Sequence, residues 1–248
     1  MRRKLALLVL GLFGALLITL GLGSAALSKP LPQGEPTAEA DASARALIAA
    51  VDGEAWERTG AVTWTFAGRH THLWDRQRRL HQLVSDGGDT VVRYNLTTMV
   101  GVATVKGEAA TPEKTEKLIR AAYAAWINDS FWLNPVVKAF DEGTVRIRVP
   151  LDEGGQGVMV QYREGGLTPG DSYLWIPGPD GRPKAWRMWV SIIPIGGLEA
   201  SWEGWTQLST GAWVSTSHKI GPMTLTLTDV KGAASVIELL GEDPFVGL

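Results

Sequence analysis

AVTWTFAGRHTHLWDRQRRLHQLVSDGGDTVVRYNLT, residues 61–97, is the stretch whose period sets the fold class. Val62, Trp64 and Phe66 alternate with Ala61, Thr63 and Thr65, the two-residue repeat of a strand with one apolar face. Similar runs follow at 70–75, 79–85 and 89–97, parted by a turn at Arg76 to Arg78 and by Asp86-Gly87-Gly88. Connections this short join antiparallel neighbours, because a parallel pair needs a crossover of a dozen residues or more. The stretch therefore predicts a meander.

Upstream, Leu47, Ile48 and Val51 among alanines predict a first helix ending at Asp52-Gly53. Downstream, Thr111 as N-cap and Pro112 at the first helical position open a second helix, with Leu118, Ile119, Ala122, Trp126 and Ile127 on one stripe. It runs out near Asn128-Asp129. The rest reads as strands at 144–151, 157–163, 171–176, 184–193, 199–208, 212–220 and 223–229, with turns at Thr168-Pro169-Gly170 and Gly178-Pro179-Asp180-Gly181. The fold class expected is α+β and mainly antiparallel β: an unclosed β-barrel, a curled sheet of about eleven strands with two or three helices as a lid. The tail carries Val236, Ile237, Leu239 and Leu240, enough for a short helical docking segment.

The chain has 248 residues, 45% hydrophobic and 20% charged, which suits one core. Arg2, Arg3 and Lys4 ahead of an apolar run to Gly23 and small residues from Ser24 have the layout of a secretory signal over 1–28. An uncleaved anchor is the other reading of that run. Three prolines in 29–40 read as a tether, and 41–248 as a single domain. The chain is thus expected in the periplasm, or tethered to the inner membrane if the signal stays. The absence of cysteine excludes disulfides, thiolate metal sites and cysteine nucleophiles. A net charge of −2 argues against nucleic acid as a partner.

Eleven tryptophans are the compositional oddity. Several strands place large apolar groups on both faces: Trp186 and Met188 oppose Trp189, Trp202 opposes Trp205, and Leu73 opposes Trp74. Either the rings are packed core, or a curved sheet under its helices encloses a cavity lined for an apolar guest. On the second reading Trp64, Phe66, Trp126, Phe131, Trp132 and Trp186 are the lining residues. An acyl chain gains about 0.8 kcal/mol per methylene removed from water, so such a site needs apolar area and no catalytic group or cofactor.

His70 and His72 share one strand face and are the metal candidates, with Asp75 or His81 considered as a third ligand. Asp75 has the wrong strand parity. Nucleophile elbows, zinc-protease helices and nucleotide loops are absent from the sequence. Arg76, Arg78 and Arg79 read as a charged hairpin tip. The apolar run from Ile192 to Leu198 reads as a plug for the barrel mouth or an exposed touching loop.

The order of elements, with Trp126-Ile127-Asn128-Asp129-Ser130-Phe131-Trp132-Leu133 in the helical insert and Thr168-Pro169-Gly170-Asp171-Ser172-Tyr173 in the return strands, resembles the periplasmic lipoprotein-carrier superfamily, the LolA/LolB-like proteins. The resemblance spans Ala44 to Lys231. It implies a half-barrel whose cavity receives lipid or lipoprotein acyl chains, and a membrane-bound donor or acceptor protein as partner. The chain departs from the LolB-type in lacking an anchoring cysteine, and no position matches the carriers' lid-latching arginine. The expected function is an exported, non-enzymatic carrier of a hydrophobic ligand. The alternatives are a secreted metal-dependent hydrolase using the His70/His72 face, and a structural envelope domain.

Overall fold

The computed structural model describes residues 28–164 and 169–248. The expected signal, up to residue 27, and Thr168 of one expected turn lie outside the described residues. Among the described residues no helix is long and apolar enough to cross a membrane.

The meander forms as its period requires. Strands β1 (Ala61–Phe66), β2 (His70–Asp75), β3 (Leu80–Ser85) and β4 (Thr90–Asn95) pair antiparallel in sequence order. Two short strands continue it, β5 (Gly101–Val105) and β6 (Glu108–Ala109). On the other side of β1 lie β15 (Met223–Ala233) and then β14 (Ser217–Ile220), closing an eight-stranded sheet. The second sheet holds β7 (Thr144–Pro150), β8 (Gln156–Tyr162), β9 (Ser172–Pro177), β10 (Pro183–Trp189) and β11 (Leu198–Ser201). Strands β12 (Thr206–Gln207) and β13 (Trp213–Val214) form a separate ribbon. Lys219 N donates to Ser201 Oγ (2.9 Å), and Glu203 bridges to Ser217, so β14 lies beside β11 where the sheets meet. The surface is curled, unclosed and antiparallel, as expected; short strands raise the count above eleven.

Its concave face is covered by helices. Helix α1 (Ala38–Ala50) is capped by Thr37, starts three residues before the expected boundary, and buries Ala44, Leu47 and Val51 against Val158 and Val160. A one-turn helix α2 (Gly53–Arg58) follows directly. Helix α3 (Pro112–Phe131) starts at its predicted cap, Thr111, and lays Ile119 and Ala122 on Leu83, Val92 and Ala103. It runs past Asn128-Asp129 because Pro135, four residues beyond its end, is the first residue that cannot donate.

The convex face is covered too. Helix α4 (Val236–Leu240) and Phe245 pack on Ala61, Leu73 and Leu80, which accounts for the opposed burial of Leu73 and Trp74. The proline-rich stretch after residue 28 is docked rather than free. Lys29 N donates to Gly196 O (2.8 Å), Trp189 Nε1 donates to Lys29 O (2.8 Å), and Leu31 packs with Ile147 and Met159. In the apolar run after β10, Ile192 is exposed while Ile193 turns inward. Nor is the arginine turn a simple charged tip. Arg76 stacks on Trp56 (4.5 Å) and donates to Thr59 O (2.6 Å), while Arg78 bridges Asp75 and Asp243.

One glycine is held by close approach. A Cβ on Gly60 would lie 1.9 Å from the Ala234 carbonyl oxygen, where β1 joins β15 and Gly60 N donates to Ala233 O. Gly60→Ala is expected to lower stability by about 1–3 kcal/mol, as overpacking does, and to drop the calorimetric midpoint by several degrees. An unchanged midpoint would mean that the junction yields freely.

Candidate functional site

Two features meet on the concave face: an aromatic interior and a polar chain running through it. The six residues expected to line a cavity all face this side. Trp64 and Phe66 of β1 are buried with Leu133 and Leu227. Trp126, on α3, meets Trp74 edge-on (5.2 Å). Phe131 and Trp132 lie 5.8 and 4.9 Å from Trp186 of β10. Trp132 packs against both main clusters and joins them into one interior.

Around these six the rings pack closely. Trp175, Trp186 and Trp202 form a triangle with centroids 5.0–5.1 Å apart, and Tyr173 lies 4.7 Å from Trp186. Two open surface depressions among the described residues lie elsewhere. One lies beside Leu208, Val230 and Leu239, the other beside Pro169, Trp189 and Ile193. Rings of this size on facing strands fill the space that the curl creates.

The filling leaves polar atoms unmatched. The Nε1–H groups of Trp64, Trp126, Trp175, Trp186 and Trp202 are buried with no acceptor among the atoms of the described residues. By contrast, the indoles of Trp189 and Trp205 donate to carbonyl oxygens of Lys29 and Pro183. Buried donors are nearly always paired, and each one left unpaired costs about 1–3 kcal/mol.

The polar chain starts on β2. Strand parity aims His70, His72 and Trp74 at the concave face, while Asp75 points away to Arg78, which removes it as a third ligand. The residue that does arrive is Asp129, from the last turn of α3. Its Oδ2 lies 2.7 Å from His70 Nδ1 and 2.9 Å from His72 Nε2, and its Oδ1 accepts from Asn128 Nδ2 (2.8 Å). His81, directly behind, sits with Nε2 3.0 Å from His72 Nδ1. Trp64 stacks on His72, 4.4 Å away and nearly parallel. His72 and Asp129 are buried, and the His70 side chain is 30% exposed, so the chain opens to solvent at that end.

Burial holds the pKa of His72 below its ordinary value despite the Asp129 hydrogen bond, and burial together with His72 pushes His81 further down. For Asp129, burial acts upward but hydrogen bonds from His72, Asn128 and His70 outweigh it, so the carboxyl sits below its usual range. Burial thus favours the neutral form of the inner imidazoles, and the hydrogen bonds favour the ionised form of the carboxyl. Parity in β2 made the two histidines legible. Asp129 lies 59 residues from His70, and nothing in the sequence placed it beside the two histidines.

No protein-family model matches the chain, and no curated protein sequence matches it.

Proposed function

We propose that the concave interior binds a hydrophobic ligand bearing hydrogen-bond acceptors, an acyl ester or fatty acyl group, and that the chain is a non-enzymatic, exported carrier of such ligands. The observation that carries this reading is the set of five acceptor-less indole N–H groups. They sit on the inner side of the curled, unclosed sheet, whereas the indoles of Trp189 and Trp205 donate to carbonyl oxygens. Hydrocarbon alone would leave these donors as they are. An ester or carboxyl oxygen would satisfy them while the tail replaces ring-to-ring contacts at about 25 cal/mol per Å² of buried apolar surface. Because the rings fill the interior, entry requires α3 and residues 132–139 to move away from the sheet. Single buried waters are the competing way to satisfy the donors.

Titration with monoolein and with octadecene, read by tryptophan emission and by native mass spectrometry, separates these. Monoolein is expected to shift the emission and be retained one to one, and octadecene to bind at least about tenfold more weakly, the worth of one hydrogen bond to a buried donor. The double variant Trp186→Phe/Trp202→Phe should narrow that difference. No emission change with either lipid, and no lipid on protein purified without denaturant, would leave the interior as a packed core.

A further inference from the structure

We propose that His70 Nδ1, His72 Nε2 and Asp129 Oδ2 form a binding site for a first-row divalent cation, zinc foremost, that bridges strand β2 to the end of α3. The three donor atoms lie within 4.8 Å of one another and come from two separate elements. Both imidazole nitrogens point at the same carboxylate oxygen, at 2.7 and 2.9 Å. A tetrahedral ion with bonds of about 2.0–2.1 Å needs donors roughly 3.3 Å apart, so an outward shift of about half an ångström makes room for it.

The charge arrangement asks for a cation. Asp129 is 2% exposed, and among the described residues the basic side chains at its carboxylate are His70 and His72, with no lysine or arginine. A buried carboxylate is ordinarily paired with a cation or a metal. The surroundings match what supports metal ligands: His81 lies on the far nitrogen of His72, and Asn128 holds the second carboxylate oxygen. Two imidazoles and one carboxylate suit zinc, copper or nickel over calcium or magnesium, which prefer all-oxygen sites. Three protein ligands, with the partly exposed His70 at the rim, leave a fourth position for water. This site rests on other observations than the lipid reading, the ligand cluster rather than the indoles, and either can fail without the other.

The test is calorimetric titration of the full chain, freed of any affinity tag, with Zn2+, together with Co2+ absorption spectroscopy. One Zn2+ per chain is expected, with visible tetrahedral Co2+ bands and a thermal midpoint raised by about 5 °C at a hundredfold excess over Kd. His70→Ala, at the exposed rim, should keep its circular dichroism and weaken zinc about 100-fold. Asp129→Asn, which keeps the shape but removes the charge, should do the same and abolish the Co2+ bands. Absence of stoichiometric zinc, or zinc bound equally well by both folded variants, would overturn the site and leave His70, His72 and Asp129 as a hydrogen-bonded clasp.

Discussion

Trp186→Ala is expected to remove about 4–5 kcal/mol of stability, the upper end for truncating a buried tryptophan. The side chain is fully buried at the meeting point of Phe131, Trp132, Tyr173, Trp175 and Trp202, all with ring centroids within 6 Å. These rings come from three separate parts of the chain, so they cannot collapse together into the gap without moving α3 against the sheet. Each aromatic pair adds about 0.5–1.5 kcal/mol beyond its buried area, which places this site above an ordinary core position. Against a total stability of about 5–15 kcal/mol the loss would be a third or more. Trp186→Phe separates area from polarity. It gives up part of the ring surface but also removes a buried Nε1–H that has no acceptor, two effects of about 1–3 kcal/mol and opposite sign. Its denaturation midpoint should lie close to wild type. Urea unfolding of both variants checks this: an alanine variant as stable as wild type would mean that the interior rings are loosely held, and a phenylalanine variant as damaged as the alanine one would mean that Nε1 has a partner after all.

The strand pattern was legible wherever one side of a strand was plainly apolar. The bounds of β2 match the sequence reading, and Thr111-Pro112 marks the start of α3. Strands β5 and β6 were not read because Gly101, Thr104 and Glu108 break any two-residue alternation; they are strands because β4 offers β5 an edge and β5 in turn offers one to β6. Helix α2 has only one turn, too short for a period, and exists because Asp52 caps it and Trp56 plugs the core below. Burial on both faces of the strands was legible as well, but not what lies between the faces. Parity assigns a ring to a side, whereas whether facing rings touch depends on how tightly the sheet curls. The same limit hid Asp129. Strand parity sets His70 beside His72, but the reach of a twenty-residue helix across the sheet decides which carboxylate meets them.

Acidification supplies a test that uses a histidine outside the β2 cluster. His218 of β14 is fully buried between Trp132 (5.2 Å) and Trp202 (4.5 Å), with Nδ1 donating to Ser201 O (3.1 Å) across the junction of the two sheets. Burial pushes its pKa down from 6.5 to about 4. Because the folded value lies below the unfolded one, the unfolded chain takes up the proton first. The His218 contribution is therefore nil above about pH 7 and costs stability as pH falls from 6.5 to 4, by about 3 kcal/mol for this one residue. Protonation also places a charge among indole rings at the seam that joins the sheets, so the junction between β14 and β11 should open before the meander does. His218→Gln cannot titrate and keeps a donor for Ser201 O. It should start less stable at pH 7.5 by about 1–2 kcal/mol from lost packing, yet show a shallower loss between pH 6.5 and 4. Denaturation midpoints at four pH values across that window measure the slope. Equal slopes for wild type and variant would show that His218 exchanges protons freely in the folded state, and the seam would then have to be more open to water than its packing indicates.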